Sequence, residues 1–320
     1  EAFNKLRSSS AKTMHTAQAL YEEGLITYMR TDSVRISKDA QGPAKKYILD
    51  KFGKRYYPET PNFYKSRKAA QEAHEAIRPA LPLREPNSIK DKLTPDQFKL
   101  YQLIWNRFIA SQMSAALLSQ TTVDIKAGDY LFRTSSTTVI FDGYTAVYEV
   151  ESEGEKPDEA KKARLPHLSV DEALDLLNLL VSQHFTKPPP RYSDASLVKA
   201  LEELGIGRPS TYAPTIQTIV ARDYVRRESG YFTPTELGVI VTRLLMEHFP
   251  KVLDVEFTAK LEDELDGGPG AGLFHPIRLV AHNHDHSLDL KALAEVEDVG
   301  DHRPPEDRVQ DLRPARLHPG

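Results

Sequence analysis

The chain has 320 residues, 40% of them apolar and 28% charged, which is material for two or three globular domains and excludes a disordered or fibrous chain. It has no cysteine, which excludes disulfides, zinc–cysteine sites and thiol catalysis and fits a reducing cytosol. The net charge of −4 is not the footprint of a protein that coats nucleic acid through bulk positive charge, and no apolar run approaches the roughly 18 residues of a membrane span.

Residues 1–115 read mainly as helices around a short strand. Ala11 to Glu23 carries apolar residues at helical spacing, with Gly24 as the residue that ends the helix. The β-branched stretch around Tyr28 predicts the strand. Ser37 is placed to cap a helix from Lys38 to Phe52, and a basic, aromatic loop (Lys54 to Lys68) leads to EAHEAIRP, Glu72 to Pro79, which reads as helical. Thr94 and Pro95 open a long amphipathic helix running to about Leu118. From about 119 to 150 short alternating runs, broken at Ala127-Gly128-Asp129 and Asp142-Gly143, predict an antiparallel unit of three or four strands. The acidic stretch Glu151 to Glu159 reads as a solvated loop, and residues 171–181 (DEALDLLNLLV) as a helix followed by the stiff Lys187-Pro188-Pro189-Pro190. From Ser193 to Asp266 helices return, with a small hairpin at Glu228-Ser229-Gly230, the order of a winged helix-turn-helix. After Asp266 the character changes to a Gly-rich linker and a histidine-rich tail, which composition predicts to be unstructured and foreign to the rest. His282, His284 and His286 would ligate a metal only if they lined one strand face.

The segment LITYMRTDSVRI (Leu25 to Ile36) holds the most chemistry. On a strand, Tyr28 and Arg30 point to the same face, and Asp32 would share it, although Thr31-Asp32-Ser33 looks more like a turn or cap. A phenol beside a guanidinium is a plausible attacking group for a phosphodiester, and equally an exposed pair with no chemistry. In EAHEAIRP, helical spacing sets His74 and Arg78 on one face, able to hold a phosphate or to form an ordinary surface charge pair. In SDASLVKALEELGIGRPSTY, Ser193 or Asp194 caps a helix, Gly205 and Gly207 end it, and Arg208 lies just before the next helix, opened by Pro209-Ser210-Thr211. Backbone amides, hydroxyls and a guanidinium meet there, an arrangement that suits phosphate. Capping alone explains the serine, threonine and glycines as well, but leaves Arg208 idle.

ITYMRTDS resembles the active-site segment of the type IA DNA topoisomerases, and Met29 resembles the bacterial topoisomerase I branch of that family. HEAIRP, SLVKALEELGIGRPSTYAPTI, FTPTELG and FTAKLEDELD match further family segments in order, over roughly residues 1 to 266. The resemblance implies an α+β, mainly helical multidomain core with winged-helix (CAP-like) subdomains and a small antiparallel β gate or hinge. Its expected divisions are a tyrosine domain at 1–118, the hinge at 119–186, the DNA-binding part at 187–266 and a non-family tail at 267–320.

It implies that Tyr28 attacks single-stranded DNA to give a 5′-phosphotyrosine, with Arg30 beside the scissile phosphate. DNA contact is expected from Arg30, Asp32, His74, Arg78, Ser193, Lys199, Arg208, Ser210 and Thr211. A phenol ionises only near pH 10, so cations must favour the phenolate. The family's lysine for this, and the carboxylates that bind Mg²⁺, belong to a TOPRIM domain whose Asp-x-Asp is not found in these residues. No ATP is expected, since the covalent link conserves the bond energy and no phosphate loop is visible. The implied protein is a cytoplasmic, nucleoid-associated monomer that relaxes negatively supercoiled DNA without contact with membranes. Two rivals are a non-catalytic single-stranded DNA-binding fragment and reverse gyrase, which also needs a helicase half.

Overall fold

The computed structural model describes residues 1–64, 74–149 and 165–267. The acidic stretch 151–159, the tail with His282, His284 and His286, and Glu72 lie outside the described residues. The described chain forms two compact units, residues 1–113 with 189–267 and residues 114–149 with 165–188.

The first unit opens with α1 (Ala2–Leu6) and α2 (Ser10–Glu22). Gly24, at φ +67°, closes α2 in a left-handed turn. Its N–H donates to Tyr21 O at 2.9 Å and the Leu25 N–H to Leu20 O at 2.9 Å. This is a Schellman closure, and the two residues its longer hydrogen bond joins, Leu20 and Leu25, are both buried. Next comes α3 (Lys38–Phe52), then a 3-10 turn at Pro86–Lys92 and α4 (Pro95–Ser111). Thr94 and Gln97 form a reciprocal capping box at the start of α4. The core beneath these helices gathers Leu20, Ile48, Tyr101, Trp105, Phe108 and Ile109. The buried polar tips are satisfied locally: Trp105 Nε1 donates to Pro82 O at 3.0 Å and Tyr101 OH to Arg84 O at 2.8 Å.

In the second half of this unit lie α5 (Asp194–Leu204), α6 (Tyr212–Ala221), the hairpin strands β3 (Val225–Glu228) and β4 (Tyr231–Pro234), α7 (Glu236–His248) and α8 (Val255–Gly267). Leu197, Leu201, Ile206, Ile216, Ile219, Val225 and Phe232 make its core. Ser229 and Gly230 both have positive φ, the conformation of a two-residue type I′ loop. Gly238, in α7, is required by close approach: a Cβ there would lie 2.2 Å from Tyr224 O. Thr235 caps that helix by accepting from the Gly238 N–H at 3.0 Å.

The other unit contains β1 (Leu117–Ala127) and β2 (Tyr130–Phe141), antiparallel, with Asp124 opposite Arg133 and a register break at Leu117/Leu118. A short 3-10 turn follows at Gly143–Ala146.

Several expected elements differ. The β unit has two long strands among the described residues instead of three or four: the Thr-Ser-Ser-Thr-Thr run continues one strand, and Asp142-Gly143 opens the 3-10 turn. The strand at Tyr28 reduces to one antiparallel bridge, Ile26 with Pro79. His74 to Arg78 is not helical, because its backbone groups are spent on the Tyr28 segment and Pro79 disfavours helix at the residue before it. α4 stops at Ser111 rather than near Leu118, where Asn62 Nδ2 donates to Ser111 O and Met113 O, each at 3.0 Å. Residues 171–181 form no helix. Leu176, Leu177, Leu179 and Leu180 are exposed, and a short helix without a packed face is not stable by itself.

Candidate active site

The Schellman turn at Gly24 delivers the chain directly into the Tyr28 segment. Ala80 N–H donates to Leu25 O at 2.9 Å and Thr27 N–H to Arg78 O at 2.9 Å. Thr27 Oγ1 donates to Ala76 O at 2.8 Å and accepts from the Arg78 N–H at 2.9 Å. Further along, the Ala76 N–H reaches Arg35 O at 2.8 Å. Residues 25–35 and 76–80 are thereby fixed against each other.

Within this frame the side chains alternate. Ile26, Met29 and Ser33 are buried, while Tyr28, Arg30 and Asp32 are exposed. Tyr28 is 40% exposed and its ring meets Tyr21 edge-on, centroids 5.2 Å apart. Arg30 makes no ion pair among the described residues. The turn after it is held by Thr31 Oγ1, which accepts from the Ser33 N–H at 3.0 Å, and by Ser33 Oγ, which accepts from the Arg35 N–H at 3.2 Å.

Arg78 faces inward. Its Nε donates to Glu75 Oε1 at 2.7 Å and Nη2 to Glu75 Oε2 at 2.9 Å, a bidentate pair. Nη1 donates to Pro79 O and Ala80 O, and Nη2 also to Ser37 Oγ. Glu75 Oε1 accepts in addition from the Ser37 N–H at 2.7 Å, so Ser37 starts α3 without a side-chain cap bond. Burial pushes the Glu75 carboxyl up, but the hydrogen bonds from Arg78 and Ser37 outweigh it and hold its pKa below the ordinary value. His74 is half-buried and makes no hydrogen bond to a described residue.

The GIGRPSTY block comes close to the same place. α2 packs on α6, the helix that GRPST opens. Tyr212 begins α6, and burial pushes its phenol up to about 12. Glu202 adds to that shift, Arg208 opposes it, and Glu262 and Asp32 add again, so the charge of Asp32 is felt at this helix start. Arg208 lies 3.6 Å from Glu262 and donates to Gly207 O at 2.8 Å. Its N–H donates to Thr211 Oγ1 at 2.8 Å. Ser210 is exposed. Ser193 is fully buried and caps α5 in a capping box with Ser196. Lys199 is exposed, 3.8 Å from Glu203.

The family model of DNA topoisomerase matches residues 1–267. This chain belongs to the bacterial type IA DNA topoisomerases. Its structure is similar to that of full-length topoisomerase I from Thermotoga maritima, at 36% sequence identity and a TM-score of 0.72. The match covers 93% of this chain and 47% of that one, so the chain spans about half the length of its topoisomerase relative.

In this topoisomerase chain Tyr28, Arg30 and Asp32 are all exposed on the segment that residues 76–80 hold, and Asp32 lies within electrostatic reach of Tyr212 at the start of α6. Ser193 and Lys199 sit on α5 in capping and exposed ion-pair roles. Four residues escaped the sequence reading as parts of this assembly. Glu75 is the acceptor that locks Arg78. Asp194, 3% exposed, accepts from the Ser10 N–H at 3.0 Å and Ser10 Oγ at 2.6 Å, and from Arg227 Nη2 at 2.9 Å. Arg227 also stacks over the Phe232 ring at 5.3 Å. Glu75 had a signal in its place between His74 and Arg78, whereas the Ser10–Asp194–Arg227 cluster joins distant parts of the chain that no local pattern connects.

Proposed function

We propose that this chain carries the nucleophile half of an ATP-independent topoisomerase that cleaves, passes and rejoins single-stranded DNA and so relaxes negatively supercoiled DNA. The observation that carries the reading is the exposure of Tyr28, Arg30 and Asp32 around buried Met29, with Arg30 in no ion pair among the described residues. The Tyr28 phenolate oxygen attacks the phosphorus, the P–O3′ bond breaks, and the 3′ oxygen leaves and takes up a proton. The product is a 5′-phosphotyrosine, and rejoining is the reverse. Arg30 lies where it can neutralise the phosphoryl oxygens, the electrostatic work that dominates such transfers. Arg78, with its donors taken by protein acceptors, acts by holding the 76–80 segment on Tyr28, and His74 faces the DNA from the same strip. Asp32, Ser193, Lys199, Arg208, Ser210 and Thr211 belong to the DNA-contacting surface, Ser193 and Thr211 by shaping the helix starts.

The helix–helix–hairpin order of α5, α6, β3 and β4 supports a winged-helix DNA-binding part, and the β1–β2 unit supports a hinge that lets the tyrosine domain lift. We place the domain divisions near 113/114 and 188/189, where the contact units change. The enzyme acts as a monomer on the nucleoid.

Among the described residues no group of three or more His, Asp or Glu side chains is placed to hold a metal ion. The donors present therefore do not fit the Mg²⁺ of the family, and no step here runs through it. The second reading is a chain that binds single-stranded DNA without cleaving it. Incubating the chain with a 3′-labelled single-stranded oligonucleotide, Mg²⁺ and a supplied TOPRIM fragment separates the two. A covalent adduct that disappears in Tyr28→Phe supports cleavage. Lack of any adduct, or one that persists in Tyr28→Phe, sinks it.

A further inference from the structure

Residues 38 to 57 carry positive charge out of proportion to the rest of the chain. Lys38, Lys45, Lys46, Lys51, Lys54 and Arg55 stand against only Asp39 and Asp50, a local net charge of +4 in a chain of −4. Helical spacing sets Lys38 and Lys45 in one line, two turns apart, with the bare Gly42 between them and Lys46 alongside. Asp39 and Asp50 flank this line on the Lys46 side, at i−7 and i+4 spacing from Lys46, and the buried Ala40, Ala44 and Ile48 lie across the helix from it. All three lysines are exposed, and neither Lys38 nor Lys46 forms an ion pair with a described carboxylate. The helix dipole accounts for Lys51 in the last turn, but it disfavours Lys38 in the first.

The far end of this line is aromatic. Lys45 Nζ lies over the Tyr57 ring at 5.2 Å, and the Phe52 and Tyr56 rings are 5.5 Å apart. The near end is pinned to the candidate active site, where the N–H of Ser37, the residue before α3, donates to Glu75. Over its 15 residues α3 runs roughly 22 Å away from that point. Cations in a line that ends on aromatic faces suit a single nucleic-acid strand, whose phosphates and bases both find partners.

We propose that the Lys38–Lys45–Lys46 face of α3, ending on Tyr57, is a second track for single-stranded DNA, gripping the strand that flanks the Tyr28 site. It rests on the proposed function for the identity of the ligand, but its test does not require cleavage. Fluorescence anisotropy is measured with two labelled single-stranded oligonucleotides, one of about 5 nucleotides and one of about 16. In the double variant Lys45→Glu/Lys46→Glu the affinity for the long strand should fall at least tenfold. Its salt slope should shrink by about 1.4, at roughly 0.7 per lost phosphate contact. The short strand should bind as before. Tyr57→Leu should weaken the long strand with the slope unchanged, as loss of stacking does. All these exchanges except Tyr57→Leu are at exposed positions, and an unchanged far-ultraviolet spectrum and urea midpoint establish that each variant folds.

Unchanged long-strand affinity and slope in the folded double variant would overturn the track. So would equal losses for both lengths, which would mark a diffuse charge effect, or a loss confined to anionic phosphatidylserine vesicles, which would mark a membrane surface. Failure of the wild type to bind the short strand would instead count against the Tyr28 reading.

Discussion

Glu75 shows how a single carboxylate can organise a site without touching a substrate. It receives two guanidinium hydrogen bonds from Arg78 and one amide hydrogen bond from Ser37, and so ties the strip behind Tyr28 to the start of α3. Glu75→Gln keeps the shape but loses the charge, and should cost roughly 1.5–3 kcal/mol, the range for hydrogen bonds to charged groups. The pH dependence has a definite sign. The folded pKa of Glu75 lies below its ordinary value of 4.5, so its stabilising contribution is complete above that value. It is lost as pH falls through the lowered folded pKa. The gap in urea midpoint between wild type and Glu75→Gln should therefore be widest at neutral pH and close in acid. A gap independent of pH would mean that shape, not charge, sets the effect.

At the scale of elements, the Ser10–Asp194–Arg227 cluster joins the start of α2, the start of α5 and β3. Asp194→Ala would leave Arg227 and the Ser10 N–H without their acceptor, and removal of one partner from a buried pair costs about 3 kcal/mol at the low end, apt here because Arg227 is 34% exposed. Ser10→Ala keeps the ion pair and the backbone donor, and should cost about 1 kcal/mol. The single tryptophan, buried Trp105, reports unfolding by its fluorescence in both cases. Equal costs for the two variants would show that the carboxylate adds nothing beyond the hydroxyl contact. The elements also show what sequence can carry. α3 was legible to the residue, and the Gly24 and Gly205 closures and the Thr94 and Ser193 starts were readable, because caps and left-handed turns are local codes. The nonhelical His74–Arg78 strip and the cluster at Asp194 were not, because each is decided by partners far away in sequence. The Leu-rich 171–181 stretch misled for the converse reason: its spacing is helical, but four of its leucines stay exposed among the described residues.

For the whole molecule, the two units differ in how deeply they are built. The larger one buries Leu100, Tyr101, Trp105, Phe108 and Ile109 on α4 alone, whereas along β1 and β2 only Ser136 and Phe141 are buried. A two-stranded ribbon exposed on most of its positions is marginal on its own, and its hydrogen bonds are open to solvent. The proposed hinge role needs such a low-stability element, since a motion that parts a DNA gate has to be cheaper than unfolding the domains around it. Hydrogen exchange under native conditions should therefore show the amides of Leu117–Ala127 and Tyr130–Phe141 opening together, well before those of Pro95–Ser111. The α4 amides should exchange only at the free energy of global unfolding, at the same urea dependence that Trp105 fluorescence reports. If the strands were as well protected as α4, the hairpin could not serve as the compliant part of the molecule, and the hinge would have to be sought in the connections around it.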